Sequence, residues 1–358
     1  MGILINGKFL TQMFSGVQRF ALELTKYLIR YEQVQIVAPP VSGFNRYNNI
    51  KKNIKILGIT SGPLWEQVEL PLYLKLQRGQ NILLNLGNTA PIIYDRNIVT
   101  SHGLAWKFYP NSYSKIFVLW YSFLIPRLLN RALLILTVSH TAKRELKEVF
   151  GIDDEKIEVL YPGVSPVFRP TFSEPQNYIL FVGTMHPVKN LATLIKALKI
   201  VHEESKDIEL WIVGDIDRRI FKLYTFDIHE PTFLMKKIKL LGFKKDEELV
   251  ELYNNALCLV LPSLYETFAF PVLEALACGC PVIVSDLEVM HELYENSVLY
   301  IDPFDPIDIA SKIVQLLKNS EIRLKLRDEG LKKVRKFTWT KTFEGLCNIL
   351  KDRFNLSL

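Results

Sequence analysis

Two carboxylates separated by seven residues, Glu266 and Glu274, stand in the run Ser263-Leu-Tyr-Glu-Thr-Phe-Ala-Phe-Pro-Val-Leu-Glu-Ala-Leu-Ala-Cys-Gly-Cys-Pro-Val-Ile-Val-Ser285. An apolar strand over 257–261 should end at Pro262, after which a polar loop holds Glu266. Proline suits the first helical position because it has no N–H to leave unpaired there. A helix opening at Pro271 would put Glu274 in its first turn, near the free N–H groups and the positive end of the helix dipole. Gly279 and Pro281 close that helix, and 282–285 returns as a buried strand. A strand, acidic loop, helix and strand of this kind places the loop at the carboxyl end of a parallel sheet, where open α/β folds bind ligands. Two carboxylates there can hold sugar hydroxyls while neighbouring amides meet an anion.

Lys189 offers fixed positive charge. It falls in a turn after a buried strand and just before Asn190, the expected cap of a helix whose Leu191, Leu194, Ile195, Leu198 and Val201 form one stripe. Ammonium and helix N-terminus could converge there on one phosphate. Asp215-Ile-Asp217 has the look of a metal motif, but it follows the second strand of its half and reads as solvated loop carboxylates; no metal ligands are assigned.

The elements that must position these groups repeat in both halves. Strands are expected at 2–5, 34–38, 82–86, 98–101 and 133–138, then at 178–182, 208–213, 257–261, 282–285 and 298–301. Helical patterns separate them, one of them with Val17, Phe20, Ala21, Leu24, Tyr27 and Leu28 at helical spacing behind a Ser15 cap. Alternation of this sort implies parallel sheets covered by helices on both faces. The stretch Tyr161-Pro-Gly-Val-Ser-Pro-Val-Phe-Arg-Pro170 is rich in Pro and lacks periodicity, so it reads as a linker between two domains, with the boundary near 168.

A chain of 358 residues suits two cores, and 49% hydrophobic residues support a globular protein. The net charge of +6 is too modest to imply nucleic acid. Cys258, Cys278, Cys280 and Cys347 lack zinc or redox spacing and read as small buried hydrophobes. No charged and apolar signal segment opens the chain, which points to the cytoplasm. No apolar stretch reaches the ~20 residues that span a bilayer. The nearest, 116–126, has two readings: a buried helix, or a helix at the surface of an anionic membrane. The buried helix is the plainer account, and Trp106, Lys107, Tyr109, Lys115, Trp120, Tyr121, Arg127 and Arg131 around the segment are the ground for the alternative.

The acidic run resembles the Glu-x7-Glu signature of the retaining family-4 glycosyltransferases. Phe181-Val-Gly-Thr-Met-His-Pro-Val-Lys-Asn190 resembles that family's phosphate loop, and Leu241-Gly-Phe with Leu252-Tyr-Asn-Asn-Ala256 its approach to the acidic motif. Gly16-Val-Gln-Arg19, Asn85-Leu-Gly-Asn-Thr-Ala-Pro91, Val99-Thr-Ser-His102 and Val138-Ser-His-Thr-Ala-Lys143 are similar to landmarks of its first domain. The likeness runs from about residue 3 to 340. It implies the GT-B fold, two facing Rossmann-like α/β domains with a cleft between them. An acceptor domain would occupy 1–168, a nucleotide-sugar donor domain 169–338, and a helix over 339–358 would cross back to the first domain.

The implied activity is transfer of a hexosyl-type group from a nucleotide-diphosphate sugar to a surface polysaccharide or lipid-linked glycan, with no cofactor beyond the donor itself. Glu266 would lie near the transferred sugar, Glu274 would hold the ribose, and His102 would contact the donor sugar. Gly16, Gly183, Thr184, Asn190 and the amides of Thr267, Phe268 and Ala269 would line the donor pocket, and Asn88, Trp106 and Tyr109 could meet the acceptor. The chain departs from the family at Thr184 and Val188, where arginine is common, at Gly103, where aspartate is common, and at Thr267 and Ala269, where glycine is common. Two alternatives stay open: a non-catalytic binding or scaffold subunit of the same fold, and a nucleotide-sugar epimerase or hydrolase.

Overall fold

The structure is a computed structural model that describes residues 2–40, 49–77, 81–171, 174–214 and 236–356. The chain divides into two units, Met1–Gly163 with Trp339–Leu358, and Val164–Thr338. Asp215 and Asp217 lie outside the described residues.

In the first unit the strands are β1 (Ile3–Asn6), β2 (Val34–Ala38), β3 (Ile54–Ile56), β4 (Ile82–Asn85), β5 (Asn97–Ser101), β6 (Leu134–Thr137) and β7 (Ile157–Val159). They form one parallel sheet in the order β3-β2-β1-β4-β5-β6-β7. In the second unit β8 (Tyr178–Val182), β9 (Glu209–Val213), β10 (Ile238–Gly242), β11 (Cys258–Leu261), β12 (Val282–Ser285) and β13 (Leu299–Ile301) are ordered β10-β9-β8-β11-β12-β13, again parallel. Central strands such as β1, β4, β8 and β11 are buried along their whole length, because helices cover both faces of a parallel sheet.

The chain builds outward from the first strand of each sheet on one side and then returns to build on the other. That reversal falls between β1 and β4 in the first unit and between β8 and β11 in the second. Beyond the carboxyl ends of two such strands the connections diverge and leave a crevice, which is where doubly wound sheets hold ligands.

Three strands go beyond the sequence reading: β3, β7 and β10. All are edge strands. Ile54-Lys-Ile56 is half-buried to exposed, and β7 and β10 each place a charged residue between apolar ones, so none of the three makes the apolar run that marks a central strand.

The final helix, Trp339–Phe354, packs within the first unit. Phe343 stacks on Tyr27 and Tyr31 with ring centroids 5.3 and 5.9 Å apart, Trp339 meets Phe20 edge-on, and Thr342 Oγ1 donates to the Tyr161 carbonyl at 2.8 Å.

Candidate active site

In the second unit β8 runs into Gly183, where the backbone of Gly214, leaving β9, passes close. A Cβ on Gly214 would stand 2.0 Å from the Gly183 carbonyl oxygen, and its φ of +143° also demands glycine. A Cβ on Gly183, by contrast, would meet nothing closer among the described residues than the Phe181 ring at 3.8 Å. The chain then makes a 3-10 turn, Pro187–Lys189, before the helix Leu191–Glu204.

Asn190 does occupy the N-cap position of that helix, but its side chain does not cap. It is in the left-handed conformation at φ 54°, its Nδ2 donates to the Pro303 carbonyl at 2.6 Å, and its Oδ1 accepts from Thr193 Oγ1 at 2.7 Å. The side chain ties the helix start to the loop after β13 and leaves the first helical N–H groups without it.

The acidic loop after β11 is drawn onto the same turn. Leu264 N–H donates to the Val188 carbonyl at 2.8 Å, which brings Glu266 against Lys189. Glu266 Oε1 accepts from Lys189 Nζ and, at 2.8 Å, from Ser263 Oγ, while Oε2 has no partner among the described residues. The lysine is thus not an isolated cation. Phosphate-sized charge approaching it would meet an ammonium already half-neutralised, held in place by a carboxylate with one oxygen to spare.

Glu274 corrects the expectation for its helix. The helix runs Phe270–Ala277, because Ala269 adopts φ 61° and lets it begin ahead of Pro271. Glu274 is therefore past the first turn and away from the unpaired N–H groups at the helix start. Its side chain is buried and accepts a hydrogen bond from Tyr253 Oη at 3.1 Å. Gly279, at φ 74°, closes the helix with its N–H on the Leu276 carbonyl and the next N–H on that of Ala275, the paired bonds of a glycine C-terminus. Tyr294 Oη donates to the Phe268 and Ala269 carbonyls at 2.7 and 3.2 Å and pins the loop beside Thr267. Tyr253, Ser263 and Tyr294 were not assigned roles from sequence, although Tyr253 and Ser263 belong to the very runs that raised the resemblance.

His102 and Gly16 belong to the first unit. His102 follows β5, its Nε2 lies 2.9 Å from the Leu86 carbonyl, and its backbone N–H donates to Asn88 Oδ1 at 2.8 Å. With the Phe20 ring edge-on at 5.0 Å, burial pushes the imidazole down to about 4, so it is neutral at physiological pH. Because the Leu86 carbonyl is an acceptor, that neutral ring carries its proton on Nε2. Gly16 opens the helix Gly16–Leu28, and Ser15 stands at its N-cap with Oγ on the Gln18 side chain at 2.6 Å rather than on a backbone N–H. Trp106 is corrected: it is a core residue, buried with Leu128, Ile135 and Ile157, and is not placed to meet an acceptor.

Cys258, Cys278 and Cys280 are buried free thiols, and burial raises the first two to about 12, which removes thiolate chemistry at neutral pH. Among the described residues no helix is long and apolar enough to cross a membrane.

Residues 167–333 match the family model described as "Glycosyl transferases group 1", and residues 14–168 match "Glycosyltransferase Family 4". The two matches adjoin and take in both units. The O-antigen chain mannosyltransferase RfbU of Salmonella typhimurium is 33% identical over 236 residues, 63% of this chain and 64% of that protein. The O-antigen chain mannosyltransferase B of Escherichia coli is 29% identical over 72% of this chain and 70% of its own length. Among solved structures, Anabaena HepE in complex with UDP and glucose superposes with a TM-score of 0.77 at 16% identity, over 98% of this chain and 100% of that one. This likeness and the two parallel sheets give the fold as GT-B.

Proposed function

We propose, from the glycosyltransferase family models that its two halves match in tandem, that this chain moves a hexosyl group from a nucleotide-diphosphate sugar to a growing surface polysaccharide or lipid-linked glycan. The observation that supports this most is the meeting of Lys189 and Glu266 beyond β8 and β11, at the crevice of the second sheet. Lys189 and the backbone at Gly183 and Thr184 would take the diphosphate, Glu266 Oε2 the transferred sugar, and Glu274 the ribose. Asn190, Thr267, Phe268 and Ala269 would complete the donor pocket, and the family resemblance assigns His102 and Gly16 of the first unit to the donor as well. Two relatives are named as O-antigen mannosyltransferases, which makes a mannosyl donor the first to try.

In the proposed reaction the acceptor hydroxyl attacks the anomeric carbon on the face the diphosphate leaves. The C–O bond to phosphate breaks, the new glycosidic bond forms, and the hydroxyl proton passes to the departing phosphate, so the anomeric configuration is retained. Lys189 supplies the fixed charge that stabilises the leaving group, and the reaction needs no metal. Turnover of a nucleotide-sugar panel on a native acceptor, with excess chelator and NMR of the product, tests both parts. The expected result is unchanged turnover and an axial linkage from an axial donor. Activity lost to chelator and restored by magnesium or manganese would sink metal independence, and inverted product would sink retention. Donor binding with no turnover on any acceptor would favour the non-catalytic subunit.

The cytoplasmic face of a membrane fits as the place of action. The helix Lys115–Arg131 buries Leu124, Ile125, Leu128 and Leu129 but leaves Ile116 and Leu119 82% and 73% exposed beside exposed Lys115 and Arg127. Sedimentation should show binding to anionic liposomes that salt weakens. Equal binding to neutral vesicles would remove the electrostatic part.

A further inference from the structure

The helix between β3 and β4 is continuous through Gly62–Leu64, a π-helical turn Trp65–Glu69 and Leu70–Leu76. One face is anchored: Trp65, Leu70 and Leu74 are buried with Leu4, Val37 and Leu83 over the first sheet. On its other face a helix at the surface of a monomer turns charged and polar residues to water. This one does the reverse. Leu64, Val68, Leu72 and Leu76, each four residues from the next, are 57%, 46%, 60% and 82% exposed. From 61 to 74 the only other exposed residues are Ser61 and Pro63, so no charge interrupts the row before Lys75. In a regular α-helix residues four apart drift round the axis; the wider π-helical turn takes up part of that drift and keeps the row on one face.

Both flanks of the row are fixed from the helix itself. On one side Gln67 Oε1 accepts from the Ile92 N–H at 3.1 Å and holds a loop on which Ile93 is 66% exposed. On the other the Glu69 carboxylate accepts from the N–H groups of Ile59 and Thr60 at 3.2 and 3.3 Å, and Ile59 is 90% exposed. Gly58 permits this grip, because its φ is +80° and a Cβ there would stand 1.8 Å from Glu69 Oε2. Side chains that hold two isoleucines beside an apolar row, both facing water, mark the patch as built. The six aliphatic side chains at these exposures present on the order of 700 Å², close to the ~800 Å² that each partner contributes to a standard interface and above what a monomer commonly leaves in one apolar patch.

We propose that two copies of the chain meet on this face, with their helices antiparallel about a twofold axis near Val68. Rows of residues four apart are the ridges that interdigitate in the commonest helix packing, at about −50°, and closed twofold pairs are the commonest assemblies. Antiparallel pairing sets the two Lys75 side chains at opposite ends, so the middle of the contact is free of like charges. A bilayer fits the face less well: helices seated on membranes bring Trp, Lys and Arg with their apolar residues, and here Trp65 is buried and the row uncharged. The dimer does not depend on the reaction assigned above. Sedimentation velocity on the full chain should show it by about 10 µM. Val68→Glu sets two carboxylates against each other in an apolar contact and should weaken the dimer ~10²-fold or more. Leu72→Glu should act in the same direction, with circular dichroism unchanged in both variants because each side chain faces water in the single chain. Ile307→Glu, at an exposed isoleucine of the second unit, should leave the dimer intact. A wild-type chain still monomeric at about 100 µM, or a dimer that both row variants leave unchanged, would overturn the proposal. Flotation with phosphatidylcholine vesicles tests the other occupant: a monomeric wild-type chain that binds them, and a Val68→Glu chain that does not, would give the face to a membrane instead.

Discussion

Each unit brings a lysine from the turn after its first strand onto a glutamate from a later segment, at the point where its strand order reverses: Lys8 with Glu66 in one, Lys189 with Glu266 in the other. The surroundings differ. Both oxygens of Glu66 are occupied and the pair is nearly sealed, whereas Glu266 uses only Oε1 and Lys189 is 25% exposed. The same two residue types therefore have different jobs. A buried pair whose carboxylate is fully engaged braces its unit; a partly exposed pair with an unused carboxylate oxygen can meet a ligand. Burial and valence decide this, not residue identity.

The largest effect expected from this contrast is on stability. Glu66→Ala strands the Lys8 ammonium together with Asn6 and Thr89, and removing one partner of a buried pair costs about 3 kcal/mol or more. Denaturant unfolding followed by tryptophan fluorescence would report it, since Trp65, Trp106, Trp120 and Trp339 all belong to the first unit. A loss below about 1 kcal/mol would erase the distinction between the pairs.

Next comes turnover. Glu266→Gln keeps the loop's shape and should cost under about 1 kcal/mol of stability, yet lower the turnover number ~10²-fold, because the charge acts where the ring becomes positive. Near-normal turnover in a folded Glu266→Gln protein would falsify its catalytic role. The smallest effect belongs to Glu274→Gln, which should raise the Michaelis constant for the donor roughly tenfold and spare turnover, since the ribose is unchanged between ground and transition states. A fall in turnover as large as that of Glu266→Gln would show that the two carboxylates share one task.

Central strands could be read from sequence because a strand covered on both faces must be apolar throughout; β8, β11 and β12 announce themselves in this way. The edge strands β3, β7 and β10 could not, because half their surroundings are solvent and charged residues are tolerated there. Ser15 and Asn190 were legible as cap positions, but both side chains bond elsewhere, since nearer partners in Gln18 and Pro303 compete for them. The start of the helix holding Glu274 was displaced by the left-handed Ala269, a conformation that alanine does not advertise.

Sequence alone was sufficient to single out Glu266, Glu274 and Lys189, because their spacing against Pro, Gly and apolar runs places Glu266 and Lys189 in the loops after two strands, and Glu274 on the helix that follows one of them, within one unit. That Lys189 touches Glu266 was decided by the Leu264 to Val188 hydrogen bond, which joins loops 76 residues apart in the chain, 264 less 188. The Lys8, Glu66, Thr89 and Tyr121 cluster is wholly a product of tertiary structure. Its members come from a 3-10 turn after β1, a π-helical turn, a loop and a helix, and no local periodicity links them. Spacing encodes what lies on one element; only packing of separate elements fixes which charges are buried together, and burial is what gives a pair its chemistry.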